Sequence, residues 1–330
     1  MKDKKRIFSG IRATGRLHIG NYLGAVKGML KLQKDPKYEM LFSVVDVHAM
    51  TTPYDKKTLK QKTREVVLDY LAAGLDPEKS ILLVQSKVAD LHSELMFYFS
   101  TIMTVARMQH LPTFKEKIKQ HPKNVTMALL NYPVLMAADI LMYKSEFVPT
   151  GIDQEPHLEV AREVARKMNS NYGTNFPEPE RFDTLGRYVP SLTHVGKMSK
   201  SVEGSYINLV DDLETIKKRL AKAPTDSGKG EKIPMDSPIS NLLHLVGLIQ
   251  GEKRKKEYQE QYKSEGIRYK DLKEELAKAI YKELEPIQKR RKKYEKNPEL
   301  VDRIIEEGAE KARKIAKETV KEVKEKMGLI

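Results

Sequence analysis

The fold of this chain is decided by the segment TGRLHIGN, which spans Thr14–Asn21. It follows a short apolar run at residues 7–8 and precedes a helical pattern that extends to about residue 33. A strand, a turn that contains glycine and the start of a helix together present backbone N–H groups and the positive helix end to phosphate. His18 and Asn21 lie where the turn becomes a helix. We therefore expect their side chains to reach one bound anion.

A second segment with phosphate-binding chemistry, KMSKS, spans Lys197–Ser201. Two lysines flank a small hydroxyl residue, and Gly196 and Gly204 lie on either side. This composition predicts a mobile cationic loop that suits a polyphosphate. Taken alone, the first segment is a weak signal and the second is typical of a solvated basic loop. Their occurrence together, in this order, favours one shared phosphate site.

The composition limits the classes of protein to which the chain can belong. A length of 330 residues suggests two structural units, and 40% hydrophobic residues are ample for folded cores. The sequence has no apolar run of about 18 residues that would span a membrane, and no apolar segment follows the charged N-terminus as in a signal peptide. The absence of cysteine excludes disulfides and thiolate metal sites, which fits a cytoplasmic location.

Basic residues outnumber acidic residues by 60 to 46, which gives a formal net charge of +14. An excess of this size favours a polyanionic partner, and nucleic acid is the natural candidate. A heat-stable protein with a surface rich in Lys and Glu would also show it. Two basic runs, Lys253–Lys256 and Lys289–Lys293, are candidates either for phosphate contact or for solvated helix faces.

Apolar strand patterns alternate with helical patterns in the first part of the chain. Such alternation predicts an α/β fold, with a parallel sheet covered by helices on both faces. Ligands of such folds bind beyond the carboxyl ends of the strands. The segments 9–10, 46–48 and 85–86 follow strands and are therefore expected near the site. The predicted strands are 7–10, 40–45 and 81–84, and the predicted helices are 21–33, 56–73 and 90–107.

The remaining sequence divides into a mixed part and a helical part. A helix is predicted at about 124–143, divided by Pro133, and another at about 154–168, capped by Asp153 or its neighbours. Residues 170–195 predict a loop with one short strand. From 211 to 330 helix formers dominate, and Asn297-Pro298 predicts the start of the last helix. We expect two domains, 1–205 and 206–330, with the last helix able to pack back on the first domain.

The two segments resemble the HIGH and KMSKS signatures of the class I aminoacyl-tRNA synthetases. Further segments resemble the bacterial tryptophanyl-tRNA synthetases, over nearly the whole chain. They are IFSG at 7–10, GNYLGA at 20–25, MAADIL at 136–141 and GAEKA at 308–312. The resemblance implies a Rossmann-type catalytic domain (1–205) that binds ATP and the amino acid, followed by an all-α anticodon-binding domain (206–330). It also implies a homodimer that attaches L-tryptophan to tRNA(Trp) through a tryptophanyl-adenylate.

The resemblance implies catalysis without a protein nucleophile, by positioning and by stabilisation of charge on the phosphates. His18 and Asn21 would contact the α-phosphate of ATP, and Lys117, Lys197 and Lys200 would contact the leaving pyrophosphate. Lys115 is an alternative to Lys117, because residues 107–114 depart from the familiar bacterial pattern. Mg²⁺ would be bound mainly through phosphates, and no side chain is assigned as a metal ligand.

Family positions also predict the contacts of the nucleotide. Arg12 and Ala13 stand where the family often has Gln or Pro-Ser/Thr. The matching positions are Arg12, Ala13, Thr14, Gly20, Asn21, Gly151, Ile152, Asp153, Val189, Lys197, Met198, Ser199, Lys200 and Ser201.

The choice of amino acid depends on Tyr132, Met136 and Asp139, whose spacing places them on one helix face. Tyrosyl enzymes typically carry Gln at the middle position, whereas the soft thioether of Met136 suits an indole ring. The carboxylate of Asp139 can accept the indole N–H. Tyr132 and Gln154 would hold the α-amino group. The remaining walls would be Phe8, Gly10, Val45, His48, Val148 and Thr150.

Several alternatives remain open from the sequence. The nearest is a tyrosyl-tRNA synthetase, against which Met136 argues. A small nucleotidyltransferase would share only the first signature, and such enzymes usually lack the long helical region. A synthetase-like RNA-binding protein without catalysis is the alternative outside the enzymes. Asp139 itself could be a structural carboxylate paired with an arginine.

Overall fold

A computed structural model describes residues 4–182, 188–194, 196–200, 202–235 and 237–330 of the chain. Its strands are β1 (Lys5–Arg12), β2 (Tyr38–Val45), β3 (Ser80–Val84), β4 (Phe147–Pro149) and β5 (Glu180–Phe182). Within the described residues they form one parallel sheet in the order β3-β2-β1-β4-β5. The predicted α/β fold is confirmed, and the three predicted strands are the three at one side of this sheet.

Helices cover the sheet and form the second part of the chain. Two short 3₁₀ turns, Gln85–Val88 and Ile152–Gln154, and a π-helical turn, Tyr22–Val26, lie between them. The α-helices are α1 (Ile19–Asn21), α2 (Lys27–Leu32), α3 (Asp46–Ala49), α4 (Leu59–Ala73), α5 (Ala89–Ser100), α6 (Val105–Gln109), α7 (Pro112–Gln120), α8 (Met127–Leu141), α9 (Glu155–Tyr172), α10 (Leu213–Ala221), α11 (Pro238–Gln250), α12 (Glu252–Lys263), α13 (Tyr269–Glu295) and α14 (Pro298–Lys326).

The register of the strands gathers polar residues at one edge of the sheet. β2 is buried from residue 40 to residue 45, because helices cover both of its faces. At the end of the β1–β2 pair, Arg12 lies beside Val45. Gln85 follows β3, and Thr150 follows β4. Since parallel strands end at the same edge, these residues from four strands come together there.

The predicted helix at 90–107 is wrong as one element, because the chain forms α5 and α6 with a break at residues 101–104. The side chain of Thr104 accepts a hydrogen bond from the backbone N–H of Arg107. Threonine in this position satisfies one of the free N–H groups of a new helix. A capping residue inside an apolar pattern therefore ended the helix earlier than its periodicity predicted.

Pro133 does not divide the helix in which it lies, contrary to the prediction. α8 runs without interruption from residue 127 to residue 141 and is capped by Thr126, whose hydroxyl accepts from the N–H of Leu129. A proline inside a helix removes one backbone hydrogen bond and crowds the preceding turn. Here the buried face of α8, packed on α5 and α9, holds the helix together across that loss.

The helix predicted at about 154–168 extends to residue 172 and is not capped by Asp153. Its N-cap residue is Gln154, whose side chain makes no capping bond, and the preceding 3₁₀ turn feeds directly into α9. Gly173, with φ +68°, ends the helix in the left-handed conformation. The predicted loop after it contains one short strand, β5.

Between residues 211 and 330 the described part of the chain has helices and no strand, as predicted. Buried residues of this part, such as Leu242 and Leu276, belong to the same apolar cluster as Ile7 and Val66. None of the helices that the structure describes is long and apolar enough to cross a membrane.

The last helix, α14, begins as predicted and lies against the sheet. Asn297 caps it by accepting from the N–H of Leu300, and Pro298 occupies its first turn. Gly308 packs so closely on β3 that a Cβ at this position would overlap the carbonyl oxygen of Leu82. Glycine is therefore required there for a close backbone approach.

Candidate active site

The turn after β1 is built by reciprocal hydrogen bonds between the two residues that the first signature singled out. The backbone N–H of Asn21 donates to Nδ1 of His18 over 3.3 Å, and the N–H of His18 donates to Oδ1 of Asn21 over 3.2 Å. Because Nδ1 is an acceptor, the proton of the neutral imidazole is on Nε2. Burial, and then the charges of Lys200 and Lys197, lower the pKa of His18 to about 4. His18 is therefore a neutral hydrogen-bond donor at physiological pH.

The second signature lies directly against the first. Nζ of Lys200 donates to the carbonyl oxygen of Gly15 over 2.9 Å. A Cβ on Gly20 would lie 2.7 Å from Nδ1 of His18 and 3.2 Å from Cβ of Met198. Glycine is thus what allows His18 and Met198 to approach the same backbone. The two segments are therefore in direct contact, as one shared phosphate site requires.

A cavity of about 480 Å³ opens at the carboxyl edge of the sheet. Its volume is in the range of small-molecule sites. Each of the ten residues predicted for the amino-acid pocket lines it. They are Phe8, Gly10, Val45, His48, Tyr132, Met136, Asp139, Val148, Thr150 and Gln154.

Asp139 is held at the base of the cavity by three hydrogen-bond donors. Its Oδ1 accepts from Nε2 of Gln85 over 2.7 Å and pairs with Nδ1 of His92 over 2.5 Å. Its Oδ2 pairs with Nε2 of His48 over 2.7 Å. Burial disfavours the charge, but these partners outweigh it and hold the pKa of Asp139 below its usual value. Oδ2 keeps one lone pair for a further donor.

A second hydrogen-bond cluster surrounds His157 on α9. Nδ1 of His157 is 3.0 Å from Oε1 of Gln154, and Nε2 is 2.7 Å from the hydroxyl of Tyr132 and 2.9 Å from that of Thr113. Burial lowers the pKa of His157 to about 4, so the ring is neutral. The carbonyl of Gln154 needs a donor, which places the proton on Nδ1 and makes Nε2 the acceptor for the closer hydroxyl, that of Tyr132.

Basic groups stand on the wall of the cavity away from Asp139. Nη2 of Arg12 donates to the hydroxyl of Thr52 over 2.9 Å and to the carbonyl of His48 over 3.3 Å. Burial, and then the charge of Arg12, lower the pKa of Lys117. Lys117 lines the cavity, whereas Lys115 is exposed and does not. The same lining carries the carboxylates of Glu116 and Asp153, so the two cations do not stand alone there.

A family model described as tRNA synthetases class I (W and Y) matches residues 1–285 of the chain. This chain belongs to that family. The tryptophan–tRNA ligase of Caldanaerobacter subterraneus subsp. tengcongensis is 43% identical to it, over 99% of each chain. That of Helicobacter pylori strain 26695 is 42% identical, over 99% of each chain. The structure of the Campylobacter jejuni tryptophanyl-tRNA synthetase complexed with ADP and tryptophan has a TM-score of 0.86 at 32% identity, over 98% of this chain and 99% of that one.

In this class I synthetase the residues predicted to contact the nucleotide lie in three environments. Arg12 and Asp153 line the cavity. Ala13 and Val189 are buried, and the Val189 carbonyl accepts the N–H of Met198. The others are not among the residues that line the cavity: they lie on the two signature turns and before α9, and Ser201 lies outside the described residues. These residues are Thr14, Gly20, Asn21, Gly151, Ile152, Lys197, Met198, Ser199 and Lys200.

Three residues around Asp139 in this synthetase were not predicted as site residues, whereas its partner His48 was. The sequence placed Gln85 after a strand but gave it no role. His92 and Tyr143 were not predicted to lie at the site. The hydroxyl of Tyr143 is 2.8 Å from Nε2 of His92. They lie on α5 and after α8, so only the packing of these helices brings them together. Asp139 is therefore paired with histidines and an amide, and the alternative of an arginine partner is wrong.

Proposed function

We propose that this synthetase attaches L-tryptophan to tRNA(Trp) in two steps, through a tryptophanyl-adenylate made from ATP. The observation that carries the proposal is the helix face of α8, which presents Tyr132, Met136 and Asp139 to one cavity beside two signature turns. The names of the full-length relatives support the same reaction.

Tryptophan is read by Asp139. The ionised carboxylate keeps one acceptor position on Oδ2, which receives the indole N–H, and half-buried Met136 packs on the ring. Phenylalanine would leave this buried acceptor without a donor, so the site rejects it. His48, Gln85 and His92 keep the carboxylate fixed in orientation.

The α-amino group of the substrate is held by oxygen acceptors. The hydroxyl of Tyr132 donates to neutral His157, which leaves its oxygen free to accept from an ammonium group. Oε1 of Gln154 accepts from Nδ1 of His157 and has a second lone pair. The ammonium end and the indole N–H are thus fixed at two points, which orients the carboxylate toward the nucleotide.

The carboxylate of tryptophan attacks the α-phosphorus of ATP, and pyrophosphate leaves. Nε2–H of His18 donates to the α-phosphate, together with Asn21. Lys117, Lys197 and Lys200 stabilise the charge that builds on the leaving group. Arg12 completes the cationic wall. The terminal ribose of tRNA(Trp) then takes the aminoacyl group.

Mg²⁺ is proposed as the metal of the reaction, held mainly by phosphate oxygens. The cavity lining carries Arg12 and Lys117, which are not ligands for Mg²⁺, and the carboxylates of Glu116 and Asp153. At most these two side chains would hold the ion, so phosphates and water would supply most of its oxygens. The ion supplies neutralisation of phosphate charge.

Amino-acid-dependent exchange of pyrophosphate into ATP, measured without tRNA, tests the function directly. We expect exchange with tryptophan and none with the other amino acids tried one at a time. Exchange with tyrosine would keep the mechanism and reject the assignment of the pocket. No exchange with any amino acid would favour an RNA-binding protein without catalysis.

The activity is expected to fall as the pH rises through about 8, because burial lowers the pKa of Lys200 to about 8. Asp69 opposes this shift and Lys62 adds to it. Below that pH Lys200 is charged and binds pyrophosphate oxygens, and above it the charge is lost. The profile of kcat/KM for ATP reports this pKa, since it reflects the free enzyme.

Two variants check the assignment of this titration to Lys200. In Lys200→Arg the fall should disappear, because a guanidinium stays charged. Lys200→Ala should slow adenylate formation by about 10²-fold while tryptophan binding is kept. A fall near pH 8 that persists in both variants would assign it to another group.

We also propose the assembly around this reaction. Residues 1–205 form the catalytic domain and residues 206–330 a helical domain that binds the anticodon of tRNA(Trp).

A homodimer is supported by exposed apolar side chains at Phe97, Val105 and Met127. The absence of cysteine from the sequence supports a cytoplasmic location. Size determination by light scattering tests the dimer.

Within the two basic runs of the sequence, the lysines are available to tRNA and the arginines are not. In the run at 289–293, Arg290 donates to the carbonyl of Ala72 over 2.6 Å, and Arg291 is 3% exposed. In the run at 253–256, Arg254 is paired with Glu257 and Glu275. The arginines of these runs therefore hold the protein together, and the phosphate contacts fall to exposed lysines such as Lys292 and Lys293.

A further inference from the structure

Arg291 on α13 lies at the centre of a buried ionic cluster beneath the first signature. Its guanidinium pairs with Asp69 and Glu65, both on α4, and with Glu295 one turn further along its own helix. Arg291 is 3% exposed and Asp69 is fully buried. Burying charged groups is costly unless each is paired, and every one of these groups is paired.

The cluster continues into the turn that precedes His18. Oδ2 of Asp69 accepts the backbone N–H of Leu17 over 2.5 Å, while Oδ1 faces Arg291. Oε2 of Glu65 accepts from Nε of Arg16 over 2.8 Å. Two consecutive residues of the turn are therefore attached to two carboxylates that one arginine holds in place.

The same turn also receives the second signature. Lys200 donates to the carbonyl of Gly15, two residues before Leu17. The position of the turn thus sets where both His18 and Lys200 stand. None of the residues that line the tryptophan cavity belongs to the cluster.

We propose that Asp69 and Arg291 are positioning residues for adenylate formation: they fix residues 15–17 and thereby align His18 and Lys200 on the phosphates. This inference rests on the proposed function. In this proposal α13 connects the helical part of the chain, which carries exposed lysines, to the phosphate site. Small displacements of reacting groups have large effects on rate, so the link matters for catalysis more than for binding.

Asp69→Asn removes the connection between Arg291 and the turn at residues 15–17 with the smallest change of side-chain shape. A carboxylate offers one oxygen to Leu17 and one to Arg291, whereas an amide has a single acceptor oxygen and cannot serve both. Arg291 keeps Glu65 and Glu295 as partners, so no buried charge is left unpaired. Burial raises the pKa of Asp69 to about 6, which means that its charge is held at a cost.

We expect Asp69→Asn to slow single-turnover adenylate formation by about tenfold or more, with tryptophan affinity unchanged. Backbone hydrogen exchange in a peptide that covers residues 15–21 should become faster. Arg291→Lys, which keeps the charge but not the planar fork, should show the same pattern more weakly and serves if the first variant does not fold.

The matched control is Asp302→Asn. It makes the same acid-to-amide change in a pair with Arg64, the neighbour of Glu65 on α4, and does not touch the turn. This control should leave both the rate and the exchange at wild-type values. Wild-type rate or unchanged exchange at 15–21 in Asp69→Asn would overturn the inference. A wild-type enzyme inactive with every amino acid would instead reject the proposed function, and hydrogen exchange would still decide whether Asp69 holds the turn.

Discussion

Asp139→Asn is expected to lower kcat/KM for tryptophan by about 10²-fold or more, while ATP binding stays near the wild-type value. The amide has one acceptor oxygen where the carboxylate serves Gln85, His92, His48 and the indole N–H. Its NH₂ group would face at least one other donor, so the pocket loses both its charge and a fixed acceptor. Tryptophan-dependent pyrophosphate exchange, together with direct titration of ATP, separates the two effects.

The control variant for the acid-to-amide change is Asp90→Asn, which alters an exposed pair with Arg313. This control should keep wild-type kinetics. The comparison of tryptophan with phenylalanine is the sharper readout, because Asp139 is the proposed acceptor of the indole N–H, which phenylalanine lacks. If Asp139→Asn discriminates between them as well as the wild type does, Asp139 is not the residue that reads the indole.

Gly308→Ala is expected to destabilise the protein by about 3 kcal/mol or more, at the upper end of overpacking effects. The added methyl group would overlap the carbonyl oxygen of Leu82, and backbone atoms on both sides cannot turn aside as a side chain can. Helix propensity acts in the opposite direction, since alanine stabilises a helix interior by roughly 1 kcal/mol relative to glycine. The free energy of unfolding from urea titration gives the net sign.

Glu307→Ala is the matched control for this prediction, because residue 307 is the exposed neighbour on the same helix. Its stability should change by less than about 0.5 kcal/mol. A Gly308→Ala protein that is as stable as the control, or more stable, would mean that α14 does not lie on β3 as closely as described.

The sheet and the residues of the pocket were accessible from the sequence for a physical reason. Buried parallel strands are continuous apolar runs, and the face of α8 follows from a spacing of four and three residues. These patterns are local in the sequence, so they can be recognised without knowledge of the fold. The resemblance to a known family then predicted that polar residues such as His18 and Asp139 belong to one site.

The parts that sequence reasoning missed depend on contacts between distant segments. Nothing within α5 indicates that His92 meets Asp139, because their pairing arises only when α5 packs on α8. Pro133 locally predicts a break in the helix, but tertiary packing keeps α8 continuous. Arg291 looks like part of a solvated basic run until α13 is placed on α4.

The position of α14 on β3 also constrains how the chain is made. β3 is one of the two edge strands of the described sheet, and all five of its residues are buried. Its cover, α14, follows every other element in chain order, so it emerges from the ribosome after them. Until then a nascent chain exposes an apolar strand edge, which is the kind of surface that pairs with other chains. Truncation just before residue 298 is therefore expected to produce aggregates rather than a slightly weakened enzyme.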